Sequence, residues 1–251
     1  MNNIPDLVLN SEKDQLFASQ RYPKPFAFNA EVAGVFDDMV KRSIPLYCDV
    51  TPYLGDWALD YYKAGTNVYD IGCSTGTTML HLSQRLEKPV TFIGIDNSPA
   101  MIEKAEEKLR AIPAQHRHHL VCDDVMTQNI SNASIVILNY TLQFLPIASR
   151  YGLLKRIYDG LCPGGILFLS EKVRFDHPQF QETSTNIYEN FKERQGYSRT
   201  EIEMKKEALD NVLVPFTEQE HRSALKNAGF HSYDSVMKWN NFMSLVAFKG
   251  Y

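Results

Sequence analysis

The chain has 251 residues, 44% of them apolar and 22% charged, with 30 acidic side chains against 26 basic ones for a formal net charge of -4. With no low-complexity tract, that composition excludes long disorder and suits a single folded domain. The longest apolar run, Ala133–Leu138 with Ser134 inside it, falls far short of the roughly 20 residues of a spanning helix, so no membrane association is expected.

The opening Met1-Asn2-Asn3-Ile4-Pro5-Asp6 lacks the basic-then-apolar pattern of a secretory leader, and a cytoplasmic location is expected. Cys48, Cys73, Cys122 and Cys162 are widely spaced with no C-x-x-C pair, which argues against a zinc site or a redox dithiol and leaves four packed thiols; no metal is expected. A mildly acidic chain has no global attraction for nucleic acid. A local basic cluster, Lys192, Arg194, Arg199, Lys205 and Lys206, is the exception.

Residues 1–25 read as a polar tail ending in the linker Tyr22-Pro-Lys-Pro25, and the ordered domain, 26–251, is expected to begin near Phe26. Val32, Val35, Phe36 and Met39 recur at helical spacing. A second helix is predicted over about Leu46 to Lys63, with Trp57 and Tyr61 on its buried side. Strands are then predicted at Asn67–Gly72, Val90–Ile95, His119–Cys122, Ile135–Leu138 and Ile166–Ser170, separated by helices at Thr77–Glu87, Pro99–Ala111 and Ile147–Leu161. Such alternation predicts right-handed crossovers and a doubly wound, Rossmann-like α/β fold.

The strand signal stops between Asp176 and Asn211, where two polar helices are expected as an insertion at about 177–213, placed to cover a ligand crevice. The chain then reads as a helix, His221–Ala228, and two strands, Phe230–Met237 and Phe242–Phe248, forming an antiparallel hairpin at the sheet edge.

The chemistry collects at the strand ends. Asp70-Ile71-Gly72-Cys73-Ser74-Thr75-Gly76 places glycines where a backbone must turn tightly beside a ligand, with a carboxylate just before the turn. It lacks the G-K-[ST] ending of a phosphate loop and the full G-x-G-x-x-G of a dinucleotide site. Asp96, about 20 residues beyond the turn, can accept both hydroxyls of a ribose, while Ser98 before Pro99 suits a helix cap. Asp124 can take an exocyclic amine with Val125 bordering the base, and Asn139 closes the floor after the fourth strand. Polar groups at four tips on one sheet edge describe a nucleoside pocket.

With these residues on the page, the strings Tyr69-Asp-Ile-Gly-Cys-Ser74, Ile95-Asp-Asn-Ser-Pro-Ala-Met101, Leu138-Asn-Tyr-Thr-Leu-Gln-Phe144, Pro163-Gly-Gly165 and Ser170-Glu-Lys172 resemble class I S-adenosylmethionine-dependent methyltransferases. With Val35-Phe-Asp-Asp-Met39, Arg42-Ser-Ile-Pro-Leu-Tyr47 and Gln195-Gly-Tyr-Ser198 added, the chain resembles the carboxy-S-adenosylmethionine synthase family from near Phe28 to Phe248. The resemblance implies a cofactor pocket of Tyr47, Gly72, Cys73, Ser74, Asp96, Asn97, Asp124, Val125 and Asn139, to which the residue chemistry adds Asp70. It implies a homodimer, S-adenosylmethionine or its carboxylated form as cofactor, and a reaction in which prephenate becomes phenylpyruvate as its carboxyl is captured. The product would serve wobble-uridine modification of tRNA. The family's carboxylate-binding arginine aligns with Lys206, a point charge in place of a planar bidentate donor. Lys206 and Arg199 are the expected cationic residues and Tyr197 a wall residue. Loss of the arginine also suits two other uses of the cofactor: transfer of its methyl to a small molecule, or cyclisation to azetidine-2-carboxylate and methylthioadenosine.

Overall fold

The computed structural model describes residues 12–18 and 25–251. β1 (Asn67–Ile71), β2 (Thr91–Asp96), β3 (Arg117–Cys122), β4 (Ala133–Asn139), β5 (Leu161–Lys172), β6 (Ser232–Trp239) and β7 (Phe242–Phe248) form one sheet in the order β3-β2-β1-β4-β5-β7-β6. The first five are parallel; β7 pairs antiparallel with β5 and with the edge strand β6. This is the doubly wound α/β sheet with an edge hairpin.

Alternation along the strands sorts apolar side chains onto two faces. Ile71, Val136, Leu138, Leu167 and Leu169 pack with Leu153, Leu154 and Ile157 of α5 (Ile147–Gly160) and Leu225 of α8 (Glu218–Ala228). Val68, Phe92, Ile135, Ile137 and Phe168 pack on the other face with α2 (Tyr47–Tyr61), α3 (Thr77–Ser83) and α4 (Pro99–Leu109). In α2 the buried stripe is Val50, Leu54 and Ala58, while Trp57 and Tyr61 are only partly buried at its margin. Their rings stack on each other, 5.7 Å between centroids, instead of entering the core.

α1 (Ala30–Ser43) opens at Asn29, whose Oδ1 accepts the Val32 N–H at 3.0 Å, and it packs on α4 through Val35, Met39 and Met101. The segment after β5 forms α6 (Pro178–Arg194) and α7 (Arg199–Ala208), the latter opened by a Ser198/Glu201 capping box. These two helices lie over the carboxyl edge of the sheet.

Order before Phe26 exceeds the sequence expectation. Asp14 and Phe17 are 2% and 3% exposed. The Asp14 carboxylate accepts the Tyr197 hydroxyl at 2.6 Å and lies 3.8 Å from Lys205 Nζ; its N–H donates to Asp38 at 2.7 Å and its carbonyl accepts from Arg42 at 2.7 Å. This polar network joins α1 to α7, and hydrophobic periodicity cannot register it. The rest of the expected tail, including Tyr22 to Lys24 of the linker, lies outside the described residues. Only Cys73 of the four thiols is buried; Cys48 and Cys122 are exposed, against the expectation of four packed cysteines.

At Gly72 the backbone has φ +73°, and an added Cβ would stand 2.3 Å from Thr141 Oγ1 and 2.5 Å from its Cγ2. Gly72→Ala is expected to lower the unfolding free energy by about 2–4 kcal/mol, combining left-handed strain with overpacking. Adding Thr141→Ala should recover roughly half of that, since only the steric part is relieved. Urea denaturation of both variants checks it.

Candidate functional site

β1 and β4 are neighbours whose following helices lie on opposite faces, so a crevice opens between their carboxyl ends. The loop leaving β1 turns through three left-handed residues, Gly72 (φ +73°), Ser74 (φ +48°) and Gly76 (φ +77°). Ser74 is not a glycine, so its conformation needs outside support. Asp96 at the tip of β2 provides it: Oδ2 accepts the Ser74 N–H at 2.9 Å, and Oδ1 accepts the Ser98 N–H at 2.9 Å. Each oxygen retains acceptor capacity, so ribose hydroxyls remain compatible with Asp96. Ser98 caps α4 through the Met101 N–H at 3.2 Å, which divides the two roles between the residues.

Among the described residues, two acceptors in this crevice have no partner. Asp70 Oδ2 and Asn139 Oδ1 are buried without a hydrogen bond, at the ends of β1 and β4. Burial, with a smaller contribution from Asp96, pushes the Asp70 carboxyl up to about 7. A cationic donor such as an amino acid ammonium, or the positive field of a sulfonium, would satisfy both atoms. After β3, Asp123 spends its carboxylate on the Asp124 N–H, Thr127 and Gln128, while the exposed Asp124 accepts the Met126 N–H at 2.8 Å and Val125 forms buried wall.

All ten expected cofactor residues, Tyr47, Asp70, Gly72, Cys73, Ser74, Asp96, Asn97, Asp124, Val125 and Asn139, line one cavity of about 750 Å³. That volume is in the range of pockets that enclose a nucleoside-sized ligand. Tyr47 enters it from α2 beside Tyr140, 6.4 Å between ring centroids, and burial pushes its phenol upward. Phe28 and Phe144, edge to face at 5.1 Å, add apolar lining.

The cover supplies the opposite charge. Lys192, Lys205 and Lys206 of α6 and α7 line the same cavity with Lys172 at the end of β5. Burial pushes Lys192 down to about 7 and Lys172 and Lys205 down to about 8, with neighbouring lysine charges adding to the first two. Lys205 donates to Ser43 Oγ at 2.9 Å.

Two expected residues are not brought to the cavity. Tyr197 is buried against Asp14 and Ser43, with the Arg42 guanidinium 4.1 Å over its ring. Arg199 lies on the outer surface, paired with Glu189 at 3.3 Å and Glu193 at 2.6 Å. Lys172, Tyr188 and Glu171 went unnominated. The strand-tip reasoning extended to β5 reaches Lys172, whereas nothing in a polar helix marks which of its side chains turn inward. Glu171, fully buried and pushed up to about 8 by burial, accepts the Leu142 and Gln143 N–H groups at 2.8 and 3.1 Å and so fixes the floor loop.

A methyltransferase domain family matches residues 68–165. Over 97% of the chain and 96% of the relative, the sequence is 51% identical to carboxy-S-adenosyl-L-methionine synthase of Trichodesmium erythraeum. It is 42% identical to the enzyme of the same name from Shewanella denitrificans, over 96% of this chain and all of that one. The fold is similar to magnesium protoporphyrin IX methyltransferase of Synechocystis, with a TM-score of 0.57 at 15% identity and 85% of each chain covered. The chain belongs to the carboxy-S-adenosyl-L-methionine synthase family.

The orphaned Asp70 carboxylate yields a prediction with a definite sign. Its folded-state pKa lies above the unfolded value, so the ligand-free protein bears the cost of ionising it above about pH 7, and that cost vanishes below about 4 where both states are protonated. Asp70→Asn should therefore stabilise the ligand-free protein by about 1–3 kcal/mol at pH 7.5, with the gain shrinking as pH falls toward 4. The same substitution should weaken S-adenosylmethionine binding at least tenfold. Calorimetric unfolding across pH, with titration of the ligand, measures both.

Proposed function

We propose that this chain joins S-adenosylmethionine and prephenate to give carboxy-S-adenosylmethionine and phenylpyruvate. The observation that carries this reading is the polarity of this cavity: acceptors on its floor without a partner among the described residues, Asp70 and Asn139, share it with four lysines. The floor suits a cationic cofactor, and the roof suits a carboxylate substrate that neither methyl transfer to a neutral molecule nor cyclisation requires.

The residues fit the cofactor by their donor and acceptor types. Asp70 and Asn139 would hold the ammonium end, Asp96 the ribose, and Asp124 with Val125 the base. When bound, S-adenosylmethionine supplies an activated methyl carbon that takes the carboxyl released as prephenate becomes phenylpyruvate, the ring hydroxyl and displaced methyl proton leaving together as water. The lysines orient prephenate by its carboxylates and compensate its charge in a site where water is scarce. The aromatic lining keeps water from the released carboxyl.

The reading extends to assembly and place. A homodimer is supported by Phe180 and Ile187, 64% and 42% exposed and seven residues apart on α6, where they form an outward apolar stripe. No helix among the described residues is long and apolar enough to cross a membrane, and we place the enzyme in the cytoplasm. Its partner is a small molecule, and its product is passed on for tRNA modification without direct nucleic-acid binding by this chain.

Mass spectrometry of products from S-adenosylmethionine with and without prephenate tests the reaction. A carboxylated cofactor formed only with prephenate is the expected result. Methylthioadenosine formed without a second substrate overturns it.

A pH dependence follows from the roof. Lysines with lowered pKa values are cationic below 7–8 and lose charge as pH rises through that window; Glu189 opposes the shift at Lys172 and Lys192, and Asp14 and Asp38 oppose it at Lys205. The KM for prephenate should rise about tenfold between pH 6.5 and 8.5, while that for S-adenosylmethionine changes less. Initial rates at fixed ionic strength check this.

A further inference from the structure

The family resemblance points to Lys206 as the carboxylate-binding position, yet Lys206 has another partner. Its Nζ lies 3.1 Å from Glu189 Oε1, and its side chain is 62% exposed. Arg199 shares the same carboxylate. Glu189 is thus the counter-ion of the cover's surface cations, and a substrate carboxylate arriving at Lys206 must displace it in a solvent-screened setting.

Lys172 and Lys192 differ on every count. Lys192 is 6% exposed and Lys172 is partly buried. Both line the cavity, and neither ammonium has a hydrogen-bond acceptor or a carboxylate within ion-pair distance among the described residues. Each lies over the ring of Tyr188, at 4.7 and 4.5 Å from its centroid. That ring is fixed: the Tyr188 hydroxyl donates to the Ser43 carbonyl at 2.9 Å, and the ring packs on Phe242 at 5.1 Å. Two cavity-lining ammonium groups with unused donors, each over the Tyr188 ring, form a site that lacks only its anion.

We infer that Lys172 and Lys192, set over the Tyr188 ring, are the carboxylate grip of this protein, and that Lys206 is a rim charge held by Glu189. The inference rests on the proposed reaction and names the residues that carry its second specificity. Two point charges fixed by one ring can serve two carboxylate oxygens, as a guanidinium does with its fork. Burial, reinforced at Lys192 by the Lys172 charge and at Lys172 by the Lys206 charge, lowers both pKa values, and an arriving carboxylate relieves it, so the pair discriminates between ligands with and without one.

The test is calorimetric binding of S-adenosylmethionine and of carboxy-S-adenosylmethionine to wild type and to Lys172→Gln, Lys192→Gln and Lys206→Gln. Wild type is expected to prefer the carboxylated ligand. Lys172→Gln and Lys192→Gln should each lose at least tenfold of that preference while binding S-adenosylmethionine within threefold of wild type, which also reports folding. Lys192→Arg should retain the preference, and Lys206→Gln should keep it within threefold. A preference lost in Lys206→Gln but intact in the other two overturns the assignment and leaves the reaction standing. A wild type that does not distinguish the ligands and makes no carboxylated product overturns the reaction itself.

Discussion

Asp96 accepts the Ser74 and Ser98 N–H groups through its two carboxylate oxygens, and the cavity floor hangs from that pair of bonds. One bond holds a serine in left-handed backbone; the other fixes the start of α4. The loop is also braced from behind. Lys108 Nζ donates to Asp37, Thr75 and Thr77 at 2.7, 2.9 and 2.6 Å, tying the glycine turn to α1 and α4 through a partly buried ion pair. A loop held at both ends can keep its strain, and that strain presents Asp70 and Gly72 to a ligand instead of to protein.

The same logic explains why the cavity is costly when empty. Among the described residues, acceptors without donors line its floor and two ammonium groups without anions line its roof, each disfavoured by burial. Natural proteins tolerate such groups where a ligand supplies the missing partner, and opposite signs on facing walls specify a ligand with charge separated along its length. Sheet, α1, α2 and cover all contribute lining, so none of them forms the site alone.

The floor was legible in the sequence because strand tips follow from period and punctuation: Asp70, Asp96, Asp124 and Asn139 each end a recognisable run, and one parallel sheet brings them to one edge. Tyr47 came only through family resemblance, since nothing in its helix marks it. The roof was less legible. Lys192 and Lys206 look alike in a polar helical segment, and only packing shows that one turns inward over Tyr188 while the other pairs with Glu189. Tyr197 was drawn to the cavity by its place in a shared motif, but its hydroxyl is spent on Asp14, a residue 183 positions away in a stretch that reads as tail.

That distant contact also sorts the lysines. Asp14 is buried beside Lys205 and Tyr197, and Lys205 gives a hydrogen bond to Ser43. Lys205 is thereby engaged in holding α7 against α1, as Lys206 is engaged with Glu189. With those two compensated, the cavity-lining lysines without a carboxylate partner among the described residues are Lys172 of β5 and Lys192 of α6. The N-terminal segment therefore does more than fasten the cover: by neutralising one roof lysine it narrows the place where an anion is best received.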